Sequence, residues 1–269
     1  MRSLLKNDLI WSLIMRISTE QRRNQILELL RENGRVRVSE LSEKYGISEV
    51  SIRNDLETLE SEGHLQRVHG GAVIINKSYI NMNLDERFTT NAVNKKKLAE
   101  RVAECVDDND IIMMNAGTTL IYVLRAIRDK KNITIVTNSM QNALEAMSYP
   151  SFNVILLGGQ LDEKYQYTHG LDTLKQLDKS HAVKGIFSVD GINSATGLSL
   201  YYSNEVEVIN KMMDLVDTVI VTADSTKLGK NTFTKVSSIH KVDIIVTNKS
   251  DNTDEIENLK AKGIKIIEA

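Results

Sequence analysis

Five short stretches in the second half of the chain gather small polar residues: Asn115-Ala116-Gly117-Thr118-Thr119, Thr137-Asn138-Ser139, Gly158-Gly159, Asp190-Gly191 and Asp224-Ser225-Thr226-Lys227. Each comes just after an apolar run of strand length. In an open α/β sheet ligands bind beyond the carboxyl ends of the strands, so such loops converge on one crevice. Gly117-Thr118-Thr119 opens a helical pattern, where free backbone N–H groups and two hydroxyls can hold a phosphate. Each loop alone is ordinary turn chemistry: Gly-Gly makes a turn, and an Asp after a strand caps a helix. For Gly117-Thr118-Thr119 alone, phosphate binding and plain capping stand about even. Recurrence after several strands is what favours a ligand.

A different chemistry is written into residues 39–73. Ser39 can cap a short helix carrying Leu41 and Tyr45 on one face, Gly46 supplies a sharp turn, and Ser48 can cap a second helix running to about residue 62. In that second helix Ile52, Leu56 and Leu59 form the buried stripe. Val50, Ser51, Asn54 and Thr58 face outward, with Arg53 on a flank, as in a recognition helix presented to base edges in a major groove. Residues 64–69 alternate like a strand and Gly70-Gly71 turns into Ala72-Val73, which makes a hairpin wing whose Arg67 and His69 can reach phosphate or the minor groove. Arg35, Arg37, Arg53 and Arg67 are the cations expected near phosphate. Acids slightly outnumber bases over residues 18–73, so only placement argues for nucleic acid. A small helical bundle with a protein-binding hairpin has the same pattern.

The elements that must position these groups follow from length and periodicity. The chain has 269 residues, a formal charge of −2, 41% hydrophobic and 26% charged residues. These values fit a soluble protein of one small and one larger domain with no general affinity for polyanions. The lone cysteine, Cys105, excludes an internal disulfide and fits a cytoplasmic setting. It is expected to be a buried, inert thiol beside Leu98 and Val102.

Residues 1–14 lack the long apolar core and cleavage site of a signal peptide, and Met15 followed by RISTEQRR can itself serve as a start, so they read as a loose extension without function. Ser18 with Gln21 forms a capping box for a helix that Gly34 ends, and residues 35–38 make a short strand able to pair with the wing. The domains expected are therefore an extension over 1–17, a winged helix-turn-helix over 18–75, a linker over 76–92 and a ligand-sensing domain over 93–269. Residues 91–106 are helical, with Lys95, Lys96 and Lys97 as a solvated face. Apolar runs at 111–114, 133–137, 154–157, 186–189, 219–222, 244–247 and 264–267 alternate with helical segments, the signature of an α/β sheet covered on both faces.

Residues 22–73 resemble the N-terminal domain of the DeoR family of bacterial sugar-catabolism regulators. The V-S-E-L segment, the S-I-R-x-D-L-x-x-L-E helix and the R-x-H-G-G-A wing fall in register, although Asn54 stands where the family usually has a second Arg. Residues 94–267, through NAGTT, ITIVTNS, VILLGG, FSVDGIN, TGLS, ADSTKLGK and VDIIVT, resemble that family's effector domain, which is similar to the ribose-5-phosphate isomerase and CoA-transferase folds. The resemblance implies a phosphate on Gly117, Thr118 and Thr119. It also implies that Asn138, Asp190 and Lys227 contact the sugar or the phosphate. Asn115 departs from the family's frequent Asp, Asn193 from a common acid, and Asn248 from the usual Asp.

The function expected is a cytoplasmic transcriptional repressor of a carbohydrate-utilisation operon. It would bind double-stranded operator DNA through Arg35, Arg37, Ser48, Ser51, Arg53, Asn54, Thr58, Arg67 and His69. A sugar phosphate would bind at Asn115, Gly117, Thr118, Thr119, Asn138, Gly158, Gly159, Asp190 and Lys227. No cofactor, metal or membrane is implied, and two-fold pairing of half-sites implies at least a dimer. The competing reading is a sugar-phosphate isomerase with Asp190, Lys227 and Glu205 as catalytic candidates, although an amide at Asn193 removes one possible base. A third makes the front domain a dimerisation module.

Overall fold

Ser18 and Gln21 cap each other at the start of the first helix, Gln21 N donating to Ser18 Oγ at 3.1 Å and Ser18 N to Gln21 Oε1 at 3.2 Å, in a computed structural model that describes residues 17–33, 35–61, 64–68, 70–74 and 82–269. The extension up to residue 16, and His69, lie outside the described residues. The chain divides into two units, Met1–Asn81 and Met82–Ala269.

The first unit holds α1 (Thr19–Asn33), β1 (Arg35–Arg37), α2 (Val38–Tyr45), α3 (Glu49–Ser61), β2 (Leu65–Val68) and β3 (Gly71–Ile74). Its sheet is antiparallel in the order β1-β3-β2. Ile26, Leu30, Leu41, Ile52, Leu56 and Leu59 meet in one apolar core. Ser39 does not cap α2. The helix begins one residue earlier, at Val38, whose N–H donates to the Gly70 carbonyl, so a tertiary bond satisfies one of the free N–H groups at the helix start. Gly46 adopts φ 63° and closes α2, a conformation that favours glycine. Gly71 is required for a different reason, since a Cβ there would lie 2.1 Å from the Val36 carbonyl oxygen.

The second unit contains α4 (Leu84–Thr89), α5 (Ala92–Ala103), β4 (Ile111–Met114), α6 (Thr118–Ala126), β5 (Ile133–Thr137), α7 (Met140–Met147), β6 (Phe152–Leu156), β7 (Gln160–Asp162), β8 (Tyr167–His169), α8 (Leu171–Leu177), β9 (Ala182–Ser188), β10 (Gly191–Asn193), β11 (Gly197–Leu200), α9 (Val206–Met213), β12 (Val216–Thr222), β13 (Thr234–Ser237), β14 (Ile244–Thr247), α10 (Thr253–Ala261) and β15 (Lys265–Glu268). The seven-stranded sheet runs β15-β14-β12-β9-β4-β5-β6 with every pair parallel. Its strands match the apolar runs of the sequence. Met113 and Val136 enter one apolar layer with helix residues Val208 and Ile256. Ile112, Met114 and Ile135 enter the opposite layer with Leu98 and Leu124. Both faces are therefore covered, as near-continuous apolar strands require.

Three features depart from the sequence reading. Helix α4 lies inside the stretch expected to be a linker, started by a capping box between Asn83 and Glu86. The β7–β8 ribbon and the β10-β11-β13 sheet were not expected, because strands of three or four polar or glycine-rich residues carry no apolar period. Lys95 is not solvated but 3% exposed, on the face of α5 that carries Leu98, Ala99 and Val102.

Candidate functional site

Strands β4 and β9 are neighbours in space, and the order of the sheet reverses between them: the chain runs outward from β4 to β6 on one side and from β9 to β15 on the other. Their carboxyl ends open the crevice that such a reversal leaves. Asn115 locks the two ends together. Its Nδ2 donates to the Ser188 carbonyl at 3.1 Å and its Oδ1 accepts the Ser188 N–H at 2.8 Å, so the amide expected to touch ligand is spent on backbone. Gly117 lies so close to Ser188 that a Cβ would sit 2.8 Å from the serine's. The first N–H groups of α6 have no carbonyl within the helix.

Beside this helix start, Lys95 Nζ donates to Thr118 Oγ1 at 3.0 Å and to the Arg87 carbonyl. Burial pushes Lys95 down to about 8, and Lys227 and Arg87 lower it further against the opposing pull of Asp224. Lys227 and Asp190 approach to 3.8 Å, with the second Asp190 oxygen taking the Tyr201 N–H. A buried cation and a helix N-terminus thus meet at one point, an arrangement suited to an anion.

Across the crevice Glu205 is buried, and its Oε1 accepts from Ala116 N at 2.8 Å and Asn138 Nδ2 at 3.0 Å. Burial raises its pKa to about 7; the two hydrogen bonds oppose that shift, and the nearby Asp190 and Asp162 add to it. Asn138 Oδ1, buried, has no hydrogen-bond partner, and the buried Tyr167 hydroxyl has only Asp162 nearby. Unsatisfied polar atoms in a buried cleft are costly unless a ligand or water completes them. Lys95 and Tyr167 were absent from the site read off the sequence, and Glu205 entered only as a catalytic candidate of the competing isomerase reading. Gly158 and Gly159 are held differently. The Gly158 N–H goes to Gln176 and its carbonyl accepts from Thr173 and Gln176, while a Cβ on Gly159 would meet Thr173 Oγ1 at 2.0 Å. The pair is built for contact with α8.

In the first unit Ser48 Oγ accepts the Ser51 N–H and caps α3. Arg53 and Asn54 are exposed, and Ser51 is half-buried. Thr58 is less available, because its hydroxyl accepts from Arg23 and donates to the Asn54 carbonyl. Each of the exposed arginines already has an acid: Arg53 pairs with Glu49 at 2.6 Å, Arg67 with Glu60 at 2.8 Å and Arg37 with Glu40 at 3.6 Å. The strands place the Arg35 backbone opposite Val73. Beneath this face Asp55, 2% exposed, accepts from Arg22 Nε at 2.7 Å and Arg23 Nε at 3.0 Å, tying α3 to α1.

Arg53→Ala or Arg67→Ala should weaken binding to DNA of any sequence. Each should lower the dependence of log K on log salt by about one unit, the release expected for one lost phosphate contact. Glu60→Gln should act in reverse, freeing Arg67. Anisotropy titrations at several salt concentrations read both, and unchanged binding in the two arginine variants would remove them from the DNA face.

Residues 22–78 match the family model described as DeoR-like helix-turn-helix domain, and residues 90–249 the one described as DeoR C terminal sensor domain. Among similar proteins, an uncharacterised HTH-type transcriptional regulator of Bacillus subtilis, YulB, is 34% identical over 91% of this chain and 95% of its own. The glycerol-3-phosphate regulon repressor of Escherichia coli is 31% identical over 84% of this chain and 90% of its own. A putative aga operon transcriptional repressor of Escherichia coli O157:H7 is 28% identical over 93% of each.

Proposed function

Because the chain belongs to the DeoR family of helix-turn-helix transcriptional regulators, we propose that it represses a carbohydrate-utilisation operon and releases its operator when a phosphorylated sugar occupies the crevice of the second unit. The carrying observation is the buried pair Lys95–Thr118 at the start of α6. The anion's charge would meet the ammonium and the helix N–H groups there. The hydroxyls of the sugar would meet Glu205, Asn138 and Asp190, where unpartnered acceptor capacity remains on Asn138 Oδ1. The matched relatives are regulators, so the isomerase reading of this crevice is set aside.

On this reading operator DNA is gripped by Arg35, Arg37, Arg53 and Arg67 and read by Ser48, Ser51 and Asn54, with Thr58 and His69 as further candidate contacts. The protein works in the cytoplasm as a homodimer or larger assembly. No helix among the described residues is long and apolar enough to cross a membrane. Ile155 and Leu156 on β6, the edge strand of the large sheet, and Leu144 and Met147 on α7 are exposed, and such an apolar edge supports self-association.

Thr119→Asp tests the anion site. The carboxylate places a like charge beside the phosphate and competes for the same N–H donors. The variant should fold and bind DNA from the protein's own upstream region as the parent does. It should need about tenfold more sugar phosphate, or more, for release, equivalent to about 1.4 kcal/mol of binding. Release at the parent's concentration would move the phosphate away from α6.

A further inference from the structure

Helix α4 is the first element of the second unit, and its docking is unusual. It has six residues, none of them buried. The last carbonyls of a helix have no partner within it. In α4 those of Arg87 and Phe88 are held by side chains of α5 and α6 in the same unit. The Arg87 carbonyl accepts from Lys95 Nζ and, at 3.4 Å, from Thr118 Oγ1, and the Phe88 carbonyl accepts from Tyr122 OH at 3.2 Å. The Phe88 ring stacks on Tyr122 with centroids 4.9 Å apart. Beside α4 a groove of about 350 Å³, open to solvent, is lined by Leu84, Phe88, Ile121, Arg125 and Leu144 among others. Arg125 lies over the Phe88 ring and the Arg87 side chain over Tyr165, so with no buried residue of its own α4 is held by these ring contacts and by the polar caps, as expected of an element of lower local stability.

The two donors placed to hold an anion at the start of α6, Lys95 Nζ and the Thr118 hydroxyl, thus both reach the Arg87 carbonyl. From this we infer that Lys95 is the switching residue of the regulator: an anion at residues 117–119 draws the Lys95 ammonium and the Thr118 hydroxyl off the Arg87 carbonyl and loosens α4, through which the sensing unit is joined to the DNA-binding unit. A dianionic phosphate is the stronger acceptor, because it adds the Coulomb attraction of opposite charges to a bond in which the carbonyl offers only a dipole. The carbonyl left behind has lost the side chains that satisfied it. Occupancy then differs in free energy between a docked and a released α4, which is what a ligand needs in order to shift that equilibrium. This inference rests on the phosphate site proposed above.

Hydrogen–deuterium exchange on the full chain, with 50 mM inorganic phosphate as probe against chloride of equal ionic strength, separates the two claims. Phosphate should slow exchange at residues 117–120 and speed it severalfold at residues 84–90. Tyr122→Phe, which removes a cap outside the crevice, should speed exchange at 84–90 without phosphate and leave the protection of 117–120 by phosphate intact. Lys95→Met should abolish the phosphate effect at both places. Protection of 117–120 with no change at 84–90 would overturn the switching role and leave the phosphate site standing. No protection at 117–120 would overturn both.

Discussion

Asp55→Ala should destabilise the first unit by about 3 kcal/mol and abolish operator binding, although Asp55 touches no DNA in this account. Removing one partner of a buried ion pair costs about 3–5 kcal/mol, because the remaining charges stay desolvated. Here two guanidinium groups share the one carboxylate, with Arg22 only 11% exposed. A unit of this size is worth only about 3–9 kcal/mol in all, at roughly 0.05–0.15 kcal/mol per residue. Hydrogen exchange along α3, read beside α5 in the same sample, would show protection collapsing in the first unit alone. Equal protection in parent and variant would mean that the triad is solvated and contributes little.

Glu205→Gln should do the opposite in the second unit: raise stability at pH 8 and weaken the response to sugar. An ordinary Glu titrates near 4.5 and Glu205 is raised to about 7. Between those values the folded state binds the extra proton. The stabilisation is complete below about 4.5 and is lost as the pH rises through 7, a loss of about 3 kcal/mol at about 1.4 kcal/mol per pH unit. Glutamine keeps the acceptor used by Ala116 and Asn138 and carries no charge to desolvate. The variant should therefore match the parent at pH 4.5 and melt about 8 °C higher at pH 8, for about 3 kcal/mol in a domain of this size. If the carboxylate also receives hydroxyls of the sugar, the stabilised variant should bind sugar phosphate less well, the trade-off found where a site is strained for function. Parent and variant melting alike at pH 8 would mean that Glu205 is ionised and hydrated in the folded protein.

The seven parallel strands were legible because each is a run of apolar residues bounded by small polar ones, and the helix-turn-helix because Gly46 and the Ile52, Leu56, Leu59 stripe leave few alternatives. What escaped was polar and tertiary. Lys95 reads as one of three solvated lysines, yet it stands three, four and seven residues before Leu98, Ala99 and Val102, on the buried face of α5. Asp55 lies by the same arithmetic between Ile52 and Leu59. Both positions could have been flagged by asking which charged residues share an apolar stripe, since burying a charge demands a partner. Glu205 was named only for the isomerase reading, since it shares no such stripe. It precedes α9 in sequence, and only the folding of that segment over the ends of β4 and β5 brings it to Ala116 and Asn138. The α4 helix was missed because six residues show no period, although Asn83 and Glu86 spell a capping box.

The central claim is that a phosphorylated sugar in the second unit controls DNA binding by the first. Its most direct test is the anisotropy of labelled DNA from the protein's own upstream region, titrated with the protein and then with a panel of sugar phosphates, each beside its dephosphorylated sugar and chloride of equal ionic strength. The account predicts that at least one sugar phosphate lowers the anisotropy, that its dephosphorylated form does not, and that the sugar phosphate is recovered unchanged. Anisotropy unmoved by every phosphorylated sugar, or moved equally by the sugar without its phosphate, would contradict it.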